Sequence, residues 1–189
     1  MKKATNVLLS VMLLTIMLII NSGTAKLSEE ESQKEFKDKS EINKEYLVDI
    51  DLLEQMGIMG GYEDNTFRPK EKMTRAEMAK IAYKLTNKGK EEEKSVEKSA
   101  FKDVEEWHWA KGYINYCKEK GYINGVGENR YESEREITLK EVSLILNRIM
   151  PEYKKYDNIG APQREKEEEA IATAEATRER IAKLIYEAI

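Results

Sequence analysis

The chain has 189 residues, of which 40% are hydrophobic and 36% charged, with a formal net charge of −4. That length fits one domain or two small ones, and so high a charged fraction implies long solvated helical faces. The acidic balance excludes a general nucleic-acid binder, which needs an excess of Lys and Arg to displace phosphate counterions, and the single cysteine excludes an intramolecular disulfide.

Lys2 and Lys3 precede an apolar stretch from Val7 to Ile20, followed by the small residues Ser22-Gly23-Thr24-Ala25. A basic start, an apolar core and small residues before a break predict a secretory signal peptide over 1–25. The apolar run is short for a membrane span, which takes about 20 residues, so no stable transmembrane anchor is expected after cleavage. Cleavage removes two lysines and no acid, taking the charge from −4 to −6. Residues 26–35 read as a flexible start.

Tyr46, Ile50 and Leu53 then fall on one helical face, and Gly57 ends that helix. Gly60-Gly61 and Asp64-Asn65 supply turn chemistry in the loop that follows. Thr74 and Glu77 form a capping box at the start of a second helix over Arg75–Thr86. Sliding the chain along itself by 64 residues puts Gly57 on Gly121, Gly61 on Gly125 and Phe67 on Tyr131; Thr74 falls on Thr138 and Glu77 on Glu141. Self-similarity at a fixed period signals a repeat architecture. The second copy reads as a helix carrying Ala110, Ile114 and Cys117, a loop, and a helix over Leu139–Ile149. Cys117 is expected as a buried small hydrophobe. Phe67 and Tyr131 are expected to plug each loop onto its helix pair. A unit of about 50 residues buries too little apolar surface alone, so the copies are expected to pack on each other.

The expected organisation is therefore all-α: repeat one over 36–87, a charged linker over 88–98, repeat two over 99–150, and an extension over 151–189. Pro151 and Pro162 break the chain before a final helix, read as about Gln163–Ile189. Its stripe of Ile171, Ala174, Ile181, Ile185 and Ala188 is interrupted by Arg178. Such a stripe needs a surface, either the two repeats or a second chain or protein partner.

Phe101-Lys102-Asp103-Val104, His108-Trp109-Ala110, Gly61-Tyr62, Asp64-Asn65-Thr66-Phe67-Arg68-Pro69 and Thr74-Arg75-Ala76-Glu77 together resemble the S-layer homology (SLH) module, over about residues 36–150. The resemblance implies helical repeats, often three, in a pseudo-threefold spindle. It also implies non-covalent anchoring to secondary cell-wall polysaccharide attached to peptidoglycan, often through a pyruvylated N-acetylmannosamine held in grooves between units. The Arg of the Thr-Arg-Ala-Glu motif is the implied contact. Arg offers a planar donor fork for a carboxylate, and a Trp face can cover a sugar ring.

Each copy departs from the pattern. Ile42-Asn43-Lys44 stands where copy two has Trp107-His108-Trp109, and Leu139 stands at the Arg75 position with Lys140 beside it. One groove between the copies is expected, with Arg75 as cation, Trp109 as platform, Asp103 or Asp38 as acceptors and Lys140 as a weaker point charge. Asp38 and Asp103 could instead cap helices. Gly57, Gly61, Gly121, Gly125 and the capping-box residues are expected to be structural. The rival reading is an exported interaction or assembly module whose sugar site has decayed. No nucleophile–base pair or metal-ligand cluster is evident, so neither an enzyme nor a cofactor is expected.

Overall fold

The computed structural model describes residues 35–91, 98–151 and 175–189. The segments expected as signal peptide and, for the most part, as flexible start, the middle of the expected linker and residues 152–174 of the extension lie outside the described residues. The architecture is all-α: α1 Leu47–Gln55, α2 Arg75–Thr86, α3 Lys111–Glu119, α4 Leu139–Ile149 and α5 Arg178–Ala188, with 3₁₀ turns at Lys39–Glu41 and Lys44–Tyr46. Among the described residues the extended pairing is confined to isolated bridges. No helix among them is long and apolar enough to cross a membrane.

The helices bury the faces that the periodicity marks. Ile50, Leu53, Ile114, Cys117, Met78, Val142, Leu146, Ile181 and Ile185 are all at most 1% exposed. Burial pushes the Cys117 thiol up to about 12, which makes it an inert core side chain. Gly57 and Gly121 end α1 and α3 in the left-handed region, with φ of 69° and 74°. Thr74 and Thr138 complete both capping boxes.

The pairing of helices is not the hairpin that chain order suggests. α1 does not pack on α2; it packs on α5, while α2 packs on α3 and on α4. Each repeat's first helix is thus covered by a second helix from elsewhere in the chain. The loops make this exchange. At the start of α2, the Arg75 and Ala76 amides donate to the Arg135 and Ser133 carbonyls of the second loop, both at 2.9 Å. At the start of α5, the Arg178 and Glu179 amides donate to the Glu71 and Pro69 carbonyls of the first loop, at 2.9 and 3.2 Å. Bridges Thr74–Glu136 and Lys72–Thr177 flank the two junctions. The acceptor pairs 71/135 and 69/133 and the bridge residues 72/136 are each 64 apart in the sequence. α5 therefore docks on loop one as α2 docks on loop two.

This changes the reading of the C-terminal stripe. Glu175–Thr177 are not helical, and Thr177 is the extended N-cap of a fresh helix. The cap is imperfect: Arg180 stands where the other copies have Glu, and the Thr177 hydroxyl is buried without a partner among the described residues. Burial on the repeats gives α5 its surface, with Ile181, Ala182 and Ile185 fully covered.

Each loop is clasped by the aspartate at the start of its own repeat. Asp38 accepts from the Phe67 and Arg68 amides at 2.8 and 2.7 Å. Asp103 accepts from the Tyr131 and Glu132 amides, both at 2.8 Å. Arg68 and Glu132 have φ of 57° and 60°, a strained setting for such residues that two charge-assisted bonds hold in place. Phe36 and Phe101 pack beside Phe67 and Tyr131, with ring centroids 5.4 and 5.3 Å apart. They leave no room over the adjacent glycines: a Cβ on Gly61 would sit 2.5 Å from the Phe36 ring and 2.6 Å from the Thr66 carbonyl. Gly61→Ala is therefore expected to cost about 1–3 kcal/mol, the usual range for overpacking. In a thermal melt followed by circular dichroism, that corresponds to a drop of about 3–10 °C.

Candidate functional site

Arg75 and Arg178 make the same junction in two places. Arg75 donates through Nε to the Tyr131 carbonyl and through Nη2 to the Asn124 carbonyl, both at 2.8 Å. Arg178 donates through Nε to the Phe67 carbonyl at 2.8 Å and through Nη2 to the Gly60 carbonyl at 2.9 Å. Again the acceptors are 64 residues apart. Each guanidinium also lies over an aromatic ring, Tyr131 at 4.4 Å or Tyr62 at 4.6 Å, within the range of a cation–π contact.

The surroundings of the two arginines differ. The Arg75 Nη1 donates to Glu141 at 2.7 Å, and Arg135 holds the same carboxylate at 2.6 Å. Burial pushes the Glu141 carboxyl up, but the Arg135 hydrogen bond, the Thr138 amide and the Arg75 charge outweigh it and hold it below the ordinary range. Arg75 is thus saturated by protein. Its groove is small, about 130 Å³, and is lined with Leu144 and Arg148.

Arg178 is 5% exposed and has no ion-pair partner among the described residues. The matching Glu77 is occupied elsewhere, accepting from the Thr74 amide at 2.9 Å and from the Tyr62 hydroxyl at 3.0 Å. Burial lowers the Arg178 pKa against the pull of Tyr62 and Glu77, the mark of a cation that has lost water. Its groove is about 730 Å³, within the range of small-ligand sites. The Gly60–Asp64 loop, Lys80 and Lys84 of α2, and Trp109 of repeat two form its walls. Trp109 is 54% exposed, backed by His108 at 5.9 Å and Tyr113 at 6.4 Å between ring centroids.

The sequence-expected residues therefore separate. Trp109 lines the larger groove together with Arg178, while Arg75 lines the smaller one. Asp38 and Asp103 line neither and give their oxygens to loop amides. Lys140 is exposed at the start of α4 and lines neither groove.

The departures from the repeat pattern have local causes. α4 meets no loop carbonyls at its N-terminus among the described residues, so the site of Arg75 and Arg178 holds a buried leucine, Leu139. Asn43, where copy two has His108, donates through its amide and Nδ2 to Glu179 at 3.1 and 2.9 Å. Glu179 is 3% exposed and also takes Lys70 at 2.5 Å. Repeat one thus uses this position to hold α5 and not to display a Trp.

Comparison with known proteins agrees with the geometry. The S-layer homology domain model matches residues 35–79 and 100–142. The chain carries two SLH repeats, the segments that this model matches. It is 37% identical over 99 residues to a cellulosome-anchoring protein of Acetivibrio thermocellus, 51% of this chain and 22% of the relative. It is 32% identical over 93 residues to a cell surface protein of Thermoanaerobacter kivui, covering 49% and 12%. It is 29% identical over 108 residues to cell surface glycoprotein 1 of Acetivibrio thermocellus, covering 53% and 5%. The matches thus span less than a quarter of these relatives' lengths.

Proposed function

We propose that this is a non-catalytic, wall-associated cell-surface protein that anchors itself by holding an anionic, pyruvylated secondary cell-wall polysaccharide in the groove between loop one, α2 and Trp109. The match of both repeats to a family whose relatives include a cellulosome-anchoring protein supports the location and the anchoring role. The observation that carries the site is Arg178, a buried guanidinium without a carboxylate partner among the described residues, in the same groove as a half-exposed Trp.

In this reading Arg178 supplies positive potential at the floor of the groove, where low dielectric strengthens its pull on a carboxylate. Trp109 covers the apolar face of a sugar ring. The rival, an interaction module with a decayed sugar site, draws its support from the second groove, where Glu141 neutralises Arg75. Sedimentation with purified wall sacculi, before and after polymer extraction, separates the two. Binding is expected to disappear on extraction and to fall about 5–30-fold in Trp109→Ala, the loss of one stacking platform of about 1–2 kcal/mol, with the melting temperature little changed. Binding that survives extraction unaltered would favour the rival.

A further inference from the structure

The end of the larger groove away from the loop already holds a carboxylate, and it comes from the chain itself. Glu91 pairs with Lys84 at 2.7 Å and with Lys80 at 3.3 Å. It also accepts the Tyr113 hydroxyl. The two lysines lie one turn apart on α2, and Tyr113 comes from α3 of the second repeat, so the carboxylate sits where two units meet. All three partners are donors, the set that suits an anion.

The approach of Glu91 is fixed by backbone. Gly89 donates to the Lys84 carbonyl at 2.9 Å and turns the chain with a φ of 75°. A Cβ at Gly89 would lie 2.1 Å from the Met56 carbonyl, so only glycine lets this turn lie against the end of α1. Lys88, also in the left-handed region, completes the reversal. The turn thus aims one acid of a charge-rich stretch into the groove. The smaller groove has no such feature: Leu144 replaces Lys80, and Arg148 donates to the Tyr122 carbonyl at 3.1 Å.

Resting on the anionic-polysaccharide reading above, we propose that Lys80, Lys84 and Tyr113 form a second anion subsite of the groove, and that Glu91 is an internal competitor which a carboxylate of the ligand must displace. Burial tends to raise the Glu91 carboxyl, but its three partners hold it down at about 2. Neutral or mildly acidic pH therefore does not release it by protonation. Displacement is by mass action: if Glu91 occupies the lysines nine-tenths of the time, the apparent affinity is reduced about tenfold.

The test is calorimetric titration of the protein lacking residues 1–25 with a glycan carrying two pyruvylated N-acetylmannosamine residues, one carboxylate for Arg178 and one for the lysines. Glu91→Ala and Glu91→Gln are each expected to bind about tenfold more tightly than wild type. Adding Lys84→Gln to Glu91→Ala is expected to remove the gain, and thermal melts check that each variant is folded. Wild-type binding with unchanged or weaker affinity in both Glu91 variants overturns the competitor role and leaves the anionic-sugar reading standing. Absence of binding in every form, wild type included, overturns that reading and the inference with it.

Discussion

Arg178→Leu is expected to abolish sacculus binding and to lower the melting temperature by about 5–15 °C. Leucine fills much of the space of the arginine stem but donates nothing. The Phe67 and Gly60 carbonyls, now bonded at 2.8 and 2.9 Å, lose their partners. An unpaired buried carbonyl costs about 1–3 kcal/mol. Part of that is offset, because the buried guanidinium itself has lost water without a carboxylate to compensate it. A net loss of about 2–4 kcal/mol follows, and each kcal/mol moves the midpoint by about 2–4 °C in a chain of this size. Circular dichroism melts give the stability and sedimentation with sacculi gives the binding. Arg178→Lys sharpens the outcome. It keeps the charge but not the fork that spans two carbonyls, so it should melt early while retaining part of the binding. Loss of stability with full binding in both variants would make Arg178 a strut and nothing more.

The all-α class, the repeat and the helix starts were legible because they are local. A Thr with Glu three residues on and apolar positions at i, i+4 and i+7 lie within a few residues of one another, the same local pattern recurs 64 residues later, and these signals agree with the structure at Gly57, Gly121, Thr74 and Thr138. The partner of each helix was not legible. α1 and α2 follow one another around one loop, yet α1 meets α5, more than a hundred residues away. Nothing in helical periodicity says which of several apolar faces a stripe will bury. Arg178 looked like an interruption of such a stripe. It is the residue that docks the stripe.

A signal for Arg178 was present. Thr177-Arg178-Glu179-Arg180-Ile181-Ala182-Lys183-Leu184 repeats the Thr, Arg, Ala and Lys of Thr74-Arg75-Ala76-Glu77-Met78-Ala79-Lys80-Ile81. Two things hid it. The spacing from Thr138 to Thr177 is 39 residues and not 64, so a search at fixed period passes over it. The acidic fourth residue is also missing, because Glu179 has moved the acid one place forward to meet Asn43 and Lys70. The aspartates were harder to read. Asp38 and Asp103 could cap a helix or meet a sugar, and their clasp on amides about 29 residues downstream needs the loop's left-handed turn to exist first.

Because the two arginines are structural equivalents in unlike settings, Arg75→Ala should give the opposite pattern to Trp109→Ala. It removes one member of a largely buried ion pair and both carbonyl bonds to loop two. Such losses cost about 3–5 kcal/mol, so the melting temperature should fall by about 6–20 °C, while the folded fraction still binds sacculi through the other groove. The stability effect should depend on pH. Glu141 has its folded-state pKa lowered, so its contribution is present above the ordinary glutamate value and fades as the pH falls through the lowered one. The gap between wild type and Arg75→Ala should accordingly be widest above about pH 5 and narrow in acid. The part that remains at low pH measures the carbonyl bonds alone. Urea melts at several pH values give both parts. A gap that stays constant into acid would mean that the Glu141 pair adds nothing and that Arg75 acts only through the loop. Loss of sacculus binding in folded Arg75→Ala would return the anion site to the smaller groove and remove Arg178 from it.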